Sequence, residues 1–275
     1  MPLLHIIILA VIQGITEFLP ISSSGHLSLT HAFLNESKTP DWNKQVMMDV
    51  AVHVGTLFAV LLYFRKDVID MIKGLLCALK GKTDHHGSKL TLNIIIGSIP
   101  VIVAGFALSA LEPSWLRAVE IVAWTTLLFG VLLWLADKVE PKHTSFETMP
   151  IKHTLLIGLA QCLALIPGTS RSGITMTASR FLGYDRTISA HFSLLLGIIA
   201  ISGAGTLEGL KLINEPNLAI TFDIIIAAII AFITGYIAIA LMMKWLAHAS
   251  FTPFVIYRII LGIGLLTLIY ATDFL

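Results

Sequence analysis

The chain has 275 residues, of which 56% are hydrophobic and only 13% are charged, and its mean hydropathy is +0.87. A soluble domain carries about 25% charged residues, so this composition excludes a disordered chain, a disulfide scaffold and nearly every soluble enzyme. The formal net charge of +1 gives no indication of a nucleic-acid partner. The composition therefore predicts an all-α protein that crosses a membrane several times.

The first apolar segment, residues 3–34, is interrupted at Pro20–His26 by a run rich in serine and glycine. Each half is too short to cross a bilayer, which requires about 20 residues. Irregular backbone at membrane depth is tolerated only where protein surrounds it. We therefore predict a re-entrant helix pair, with a single kinked helix as the alternative. A later segment, residues 154–182, is interrupted in the same way at Pro167–Gly173 and receives the same interpretation.

Three uninterrupted apolar stretches follow each broken segment, and each is long enough to span the membrane. They lie at 46–64, 90–111 and 119–135, and then at 188–207, 220–243 and 254–271. An amphipathic stretch at 68–79 is predicted to lie at the membrane interface.

The two broken segments resemble each other in sequence. Sliding the first onto the second superposes Gln13 on Gln161, Ser22 on Ser170, Ser24 on Ser172, Gly25 on Gly173, Phe33 on Phe181 and Leu34 on Leu182. An odd number of crossings inverts the second repeat relative to the first, as in many transporters. We therefore predict a single membrane domain, residues 1–275, with inverted repeats at about 1–135 and 154–275. Each repeat consists of a re-entrant helix pair and three transmembrane helices.

The basic residues of the connections predict the orientation, because cytoplasmic loops are enriched in Lys and Arg. The connections at 65–89 and 136–153 carry six and three such residues, whereas those at 112–118 and 208–219 carry one each. The first two are therefore predicted to be cytoplasmic. Both termini and the first break then face the outside, while the second broken segment enters from the cytoplasm.

Ionisable groups inside a membrane are costly and mark function by default. Glu17 lies four residues after Gln13 on one helical face, His26 ends the first break, and Arg171 lies within the second. Arginine presents a planar fork that matches phosphate oxygens, and helix N-termini beside glycine and serine bind anions. A serine with a histidine and a glutamate supplies a nucleophile and a base. The two breaks together predict a phosphate site.

Each polar residue also has a structural interpretation. A single intramembrane histidine or glutamate, or a serine near a kink, can merely satisfy main-chain groups. Asp49 and His53, at positions i and i+4, either extend the polar cavity or pair with each other. Arg258, near the start of the last span, is expected to snorkel to the membrane interface. Arg171 has no acidic neighbour in its own segment, which favours an anion as its partner.

Two motifs resemble those of the bacterial undecaprenyl-diphosphate phosphatase family, the bacitracin-resistance type. The first is Gln13-Gly14-Ile15-Thr16-Glu17-Phe18-Leu19-Pro20-Ile21-Ser22-Ser23-Ser24-Gly25-His26, similar to E/Q-x-x-x-E-F-L-P-x-S-S-T-G-H. The second is Pro167-Gly168-Thr169-Ser170-Arg171-Ser172-Gly173-Ile174-Thr175, similar to P-G-x-S-R-S-x-x-T. The flanking spans, including Phe254–Arg258, are also similar, so the resemblance covers essentially the whole chain.

The resemblance implies hydrolysis of undecaprenyl diphosphate to undecaprenyl phosphate and inorganic phosphate. This reaction recycles the lipid carrier of peptidoglycan synthesis and confers bacitracin resistance. The resemblance further implies a multi-pass protein of the bacterial inner membrane with a divalent cation, Mg²⁺ or Ca²⁺, as cofactor. With the orientation predicted from the loop charges, the site is expected to open toward the periplasm. A hard cation on diphosphate oxygens suits chemistry that rests on charge neutralisation. A homodimer is a further expectation, and no nucleic acid is expected.

By position, the resemblance implies that Ser23 is the nucleophile and that His26 is a base or acid. His26 as the attacking group is the alternative, because histidine also forms covalent intermediates. Glu17 would activate the nucleophile or bind the cation, with Gln13 as the second candidate ligand at a position where many members have glutamate. The phosphates are expected to contact Arg171 and six further residues. These are Ser22, Ser24, Gly25, Ser170, Ser172 and Thr175.

Two other functional classes share some of these features. Acid-phosphatase-like lipid phosphatases use a similar Ser-Arg element but need a histidine six residues after the arginine, where this chain has Thr177 and Arg186. The sequence therefore speaks against that class. A lipid-phosphate transporter or flippase would need the same architecture and the same Arg171. It would not need Glu17, Ser23 and His26, and the sequence separates the two classes only through these three residues.

Overall fold

The computed structural model describes residues 2–33, 42–81, 86–111, 118–146, 148–213 and 222–272. The helices in these ranges are α1 (Leu3–Phe18), α2 (Ser23–Phe33), α3 (Trp42–Tyr63), α4 (Arg65–Leu79), α5 (His86–Leu111), α6 (Val119–Asp137), α7 (Ile151–Gln161), α8 (Arg171–Phe181), α9 (Arg186–Ile213), α10 (Phe222–Leu246) and α11 (Thr252–Thr272). A short 3₁₀ helix, Cys162–Leu165, continues α7.

Six of these helices contain a segment that is long and apolar enough to cross a membrane. The segments are Val46–Tyr63, Gly87–Leu108, Val119–Asp137, Arg186–Leu207, Phe222–Leu246 and Thr252–Ala271. Each overlaps one of the six predicted spans, which confirms the prediction of an all-α, multi-pass membrane protein. α4 covers the predicted amphipathic stretch and exposes Ile69, Ile72 and Leu76 on one face, the pattern of an interfacial helix.

The first broken segment folds back on itself as a helical hairpin of α1 and α2. Ile6, near the start of α1, and Leu27, in α2, lie in the same core cluster. Nε2 of His31, near the end of α2, lies 3.4 Å from Oδ1 of Asp49 in the first part of α3. The hairpin therefore opens at the bundle end where α3 begins, called here the Asp49 end.

The second hairpin, α7 and α8, opens at the opposite end. The hydroxyl of Tyr184, after α8, lies 2.9 Å from Nδ1 of His153 at the start of α7. Arg180 of α8 donates to the main-chain carbonyl of Asp137, the last residue of α6, at 3.1 Å. Since α6 is the third crossing and α3 the first, this Asp137 end lies opposite the Asp49 end. The two broken segments thus enter the bundle from opposite sides, while the equivalence of the complete repeats stays a prediction.

Small residues allow the hairpins to approach the long helices closely, as is usual in membrane bundles. A side chain on Gly14 of α1 would overlap the Thr234 hydroxyl of α10, and one on Gly55 of α3 would overlap the backbone of α10. On the other side of the bundle, Gly158 of α7 lies against Gly97 of α5. These contacts bring both breaks into the interior.

The helices after both breaks begin earlier than predicted. The sequence predicted irregular backbone as far as His26 and Gly173, whereas α2 begins at Ser23 and α8 at Arg171. The reason is local capping, because the hydroxyls of the preceding serines, Ser22 and Ser170, accept hydrogen bonds from the first-turn amides.

Candidate active site

The two breaks have the same backbone geometry. Ser22 and Ser170 have φ angles of 76° and 72°, in the left-handed region that non-glycine residues seldom adopt. The Ser22 hydroxyl accepts from the amide of Gly25 at 3.3 Å, and the Ser170 hydroxyl accepts from the amide of Gly173 at 3.1 Å. Backbone held in such a conformation in two places of one molecule is typical of functional sites.

Each turn also contains a pair of neighbouring serine hydroxyls, and one of these hydroxyls connects the two breaks. Oγ of Ser22 lies 3.4 Å from Oγ of Ser24, and Oγ of Ser170 lies 3.2 Å from Oγ of Ser172. The Ser172 hydroxyl also donates to the main-chain carbonyl of Leu19, the residue directly before the first break, at 2.9 Å. The breaks are therefore in direct contact.

Arg258 holds both breaks together. Its guanidinium is fully buried, contrary to the prediction that it snorkels to the interface. It donates at 3.0–3.3 Å to five main-chain carbonyls, those of Pro20, Gly168, Thr169, Thr125 and Thr126. Carbonyls in a break have lost their helical partners, and at membrane depth they need another donor. A guanidinium offers five N–H groups, so one side chain satisfies carbonyls from both breaks and from α6.

Glu17 is the carboxylate at the centre of the site. It is buried near the end of α1, with 8% of its surface exposed. Its Oε2 accepts from the Ser23 hydroxyl at 2.7 Å and from Nε2 of Gln13 at 2.9 Å. Its Oε1 accepts from the guanidinium of Arg171 at 3.1 Å. The carboxylate therefore brings together residues that the sequence separates by more than one hundred positions.

Arg171 has a partner that its own segment did not reveal. Besides its ion pair with Glu17, its guanidinium donates to the main-chain carbonyl of Ser193 in α9 at 3.1 Å. These contacts orient the guanidinium toward the first hairpin. These two contacts use two of the five N–H groups of the guanidinium, so donors remain for a phosphate oxygen.

The predicted phosphate contacts divide into two groups. Ser24 is exposed beside the candidate nucleophile, whereas Ser172 and Thr175 are buried behind Arg171. The Thr175 hydroxyl lies 2.6 Å from Oγ of Ser193. In this structure, Ser172 and Thr175 therefore support the second turn and Arg171. Contact between phosphate and any of the predicted serine or threonine residues stays a prediction.

His26 directs both of its ring nitrogens to partners other than Ser23. Its Nδ1 lies 2.6 Å from the main-chain carbonyl of Ser22, and its Nε2 lies 2.5 Å from the hydroxyl of Tyr257. A carbonyl only accepts, so Nδ1 carries the proton and the Tyr257 hydroxyl donates to Nε2. The rings stack with centroids 5.6 Å apart. Sequence reasoning missed this role of Tyr257, although the residue stands next to Arg258 in a motif that the resemblance covers.

Asp49 and His53 do not pair through their side chains. Nδ1 of His53 donates to the main-chain carbonyl of Asp49 at 2.7 Å, and the Asp49 carboxylate faces His31. Both residues therefore have local partners on the first hairpin's side of the bundle.

The oxygen donors around Glu17 form a sparse set for a metal. The described residues contain no cluster of three or more His, Cys, Asp or Glu side chains suited to a metal ion. Gln13 is fully buried, and its Oε1 has no hydrogen-bond partner in the described structure. Gln13 turns its Nε2 toward Glu17, and both Glu17 oxygens accept hydrogen bonds, so a hard cation here would require the Gln13 amide to turn over and its other ligands to come from a diphosphate and water.

Comparison with known proteins agrees with this site. Residues 6–264 match the family described as bacitracin resistance protein BacA. The chain is 47% identical over 272 residues to undecaprenyl-diphosphatase 1 of Rhodospirillum rubrum, covering 98% of this chain and 96% of that protein. It is 44% identical over 273 residues to the undecaprenyl-diphosphatase of Ruegeria pomeroyi, covering 98% and 100%. The chain therefore belongs to the BacA family of bacitracin resistance proteins.

Proposed function

We propose that this protein is an undecaprenyl-diphosphate phosphatase of a bacterial inner membrane. One observation carries the proposal, namely the hydrogen bonds by which Glu17 links the Ser23 hydroxyl of one hairpin to the Arg171 guanidinium of the other. This is a nucleophile, a base and an oriented cation within one buried site. The names of its relatives support the substrate. Hydrolysis would recycle the lipid carrier for peptidoglycan synthesis and confer bacitracin resistance.

The geometry supports Ser23 as the nucleophile and Glu17 as its base. Glu17 would take the proton of the Ser23 hydroxyl as its oxygen forms a bond to the terminal phosphorus. The phosphoanhydride bond would break at the same time, and undecaprenyl phosphate would leave. Water would then hydrolyse the phosphoserine and release inorganic phosphate. Attack by His26 is less well supported, because the Tyr257 hydroxyl occupies Nε2.

Arg171 would stabilise the charge on the transferred phosphoryl group, which is spread over three equatorial oxygens. The N-termini of α2 and α8 lie at the two turns and add the favourable ends of their dipoles. The exposed Ser24 hydroxyl and the amides of the turns are the candidate phosphate contacts. Ser22, Gly25, Ser170, Ser172 and Thr175 would keep the two turns in shape around the phosphate.

A divalent cation, Mg²⁺ or Ca²⁺, is part of the proposal. Glu17 would hold it, together with Gln13 after a turn of the amide that brings Oε1, which is buried without a hydrogen-bond partner in the described structure, toward Glu17 in place of Nε2. The bound ion would neutralise charge on the diphosphate oxygens.

The proposed orientation places both termini outside and the site open to the periplasm. The two connections richest in basic residues lie at the Asp137 end, as the positions of Arg65 and Lys138 beside their helices show. This supports a cytoplasmic location of that end. A homodimer is also part of the expectation, while the residues of the site come from one chain.

Transport is the second candidate function, because hairpins that enter from opposite ends occur in transporters. Phosphate release by the purified protein in detergent separates the two, since no membrane remains to be crossed. We expect release from undecaprenyl diphosphate by the wild-type protein and a loss of at least about a hundredfold in Glu17→Gln, the range typical of a general base. Glu120→Gln, on the far side of α6, is the matched control. Absence of release by the wild-type protein would exclude the phosphatase.

A further inference from the structure

An apolar groove lies beside the end of the first hairpin. It has a volume of about 480 Å³ and is lined by α1, α10 and the start of α11. Its walls include Ile15, Leu19, Ala238, Leu241, Trp245 and Phe254. This volume lies within the range of about 300–1,000 Å³ that is typical of ligand sites.

The groove exists because α1 stops short while α10 continues. α1 ends at Phe18, beside Gly235 of α10, whereas α10 runs on to Leu246. The space between the end of α1 and the Asp137 end of the bundle is therefore not filled by α1. Along α10 the groove extends from Thr234 to Trp245, roughly 16 Å at the helical rise per residue.

The groove borders the candidate active site. Leu19 lines it, and the main-chain carbonyl of Leu19 accepts the hydrogen bond from Ser172 of the second turn. On α11, Pro253 and Phe254 line the groove, and Tyr257 follows them on the same helical face. The Tyr257 hydroxyl contacts His26, so this residue stands between the groove and the polar site.

The groove is built for a hydrocarbon chain. Its one hydroxyl-bearing lining residue, Thr234, uses that hydroxyl on the main-chain carbonyl of Ile230 at 2.7 Å. Ala238 and Met242 form a buried floor, while Leu241 and Trp245 are exposed at the rim, so the groove is open toward the bilayer. A chain longer than the groove can therefore continue into lipid.

We infer that this groove holds the isoprenoid units of the substrate that lie next to its diphosphate. The inference rests on the proposed function and adds a subsite to it. Lipid tails are as apolar as the groove, so the hydrophobic gain on entering from the bilayer is small. The groove therefore acts mainly by positioning, since it fixes the direction in which the chain leaves the phosphorus atom.

The direction of the groove also bears on how substrate enters. The chain of a membrane lipid points away from the face that holds its head group. The groove leads from the site toward the Asp137 end, so a diphosphate whose chain occupies it comes from the Asp49 end. This conclusion does not depend on the basic residues of the loops.

Photo-crosslinking tests the inference. The probe is a non-hydrolysable methylene-bisphosphonate analogue of farnesyl diphosphate with a diazirine in its terminal isoprene unit. It is added to the full chain in vesicles of phosphatidylethanolamine and phosphatidylglycerol. We expect labelled peptides from 234–245 and 15–19, and their labelling should fall when undecaprenyl diphosphate competes. Labelling elsewhere, or labelling that the competitor does not reduce, would overturn the inference, and the second result would identify an ordinary lipid site.

A pair of variants at exposed positions of α10 supplies the kinetic test. Leu241→Trp fills the groove, whereas Ile229→Trp adds the same bulk at a lipid-facing position three turns away. We expect kcat for undecaprenyl diphosphate to fall about tenfold in Leu241→Trp, with little change in KM, because the groove supplies orientation more than affinity. Equal kcat values in the two variants would overturn the inference. Failure of the proposed function would instead leave the wild-type protein without phosphate release.

Discussion

Ser23 and Arg171 are the first residues of α2 and α8, and one carboxylate joins them. Glu17 accepts a hydrogen bond from the Ser23 hydroxyl at 2.7 Å and another from the Arg171 guanidinium at 3.1 Å. Each follows a serine in the left-handed conformation, Ser22 or Ser170. A hydroxyl and a cation thus occupy corresponding places in two similar turns, and one carboxylate can activate the first while it orients the second.

Ser23→Ala tests the nucleophile. We expect phosphate release to fall by at least about a hundredfold, because the variant loses the attacking oxygen and the proton that Glu17 receives. With the terminal phosphate of the substrate radiolabelled, an acid quench of the wild-type reaction should trap label on Ser23.

Ser28→Ala, an exposed serine of the same helix, is the control and should keep wild-type activity. Label recovered on His26 in an acid-labile form, together with appreciable activity in Ser23→Ala, would identify histidine as the nucleophile instead.

Arg171→Lys tests the cation. An ammonium group keeps the charge but cannot reproduce the planar fork that contacts both Glu17 and the Ser193 carbonyl. We expect kcat/KM to fall about a hundredfold, equivalent to about 3 kcal/mol of transition-state stabilisation. A Lys variant within about threefold of the wild-type value would mean that Arg171 is only a positional cation.

Arg258→Met tests the connection between the breaks. The substitution preserves much of the side-chain length but removes donors from five buried carbonyls. The carbonyls of Thr125 and Thr126 keep their partners within α6, so the loss falls on those of Pro20, Gly168 and Thr169. Each unsatisfied buried acceptor costs about 1–3 kcal/mol, so we expect a sharply lower unfolding temperature in detergent. Lys66→Met, at an exposed position, should leave the unfolding temperature unchanged. Equal stability of the two variants would show that the breaks hold together without Arg258.

Tyr257→Phe keeps the ring that stacks on His26 and removes only the hydroxyl that donates to Nε2. Loss of one hydrogen bond is worth about 1 kcal/mol, so we expect a fall in kcat of roughly fivefold with a folded protein. The ¹⁵N chemical shifts of His26 should report a change at Nε2 while Nδ1 keeps its proton. An unchanged histidine spectrum would contradict the hydrogen bond.

Much of the fold follows from the sequence, because an apolar stretch of membrane-spanning length has few alternatives. The six spans and both broken segments were predicted within a few residues. The burial of Arg258 was not predicted, because the sequence does not show that five main-chain carbonyls lie close enough together for one guanidinium to bind them. The pairing of Arg171 with Glu17 was also missed, since it joins two segments whose contact depends on the whole bundle. The early starts of α2 and α8 depend on capping by serine. In the sequence, a run rich in serine and glycine predicts irregular backbone whether or not one of its serines caps a helix.

The last prediction concerns sidedness, and a single cysteine tests it. Ser28→Cys is placed in a Cys77→Ser, Cys162→Ser background, which removes the two free thiols. Ser28 is exposed on α2, whose hairpin opens at the Asp49 end. A membrane-impermeant thiol reagent should label it on intact cells. Lys142→Cys, exposed at the Asp137 end, is the control and should react only after the cells are permeabilised.

The charges of the loops support this outcome. The connection at 65–89 carries six basic residues and the one at 112–118 carries one, which favours a cytoplasmic Asp137 end. The apolar groove leads from the site toward the Asp137 end, so the head group of a lipid bound there comes from the Asp49 end, whichever side of the membrane that end faces. If Ser28→Cys reacts only after permeabilisation and Lys142→Cys reacts before it, the loop charges have been misread. The groove would then direct the chain toward the outer leaflet, and the enzyme would act on diphosphate at the cytoplasmic face.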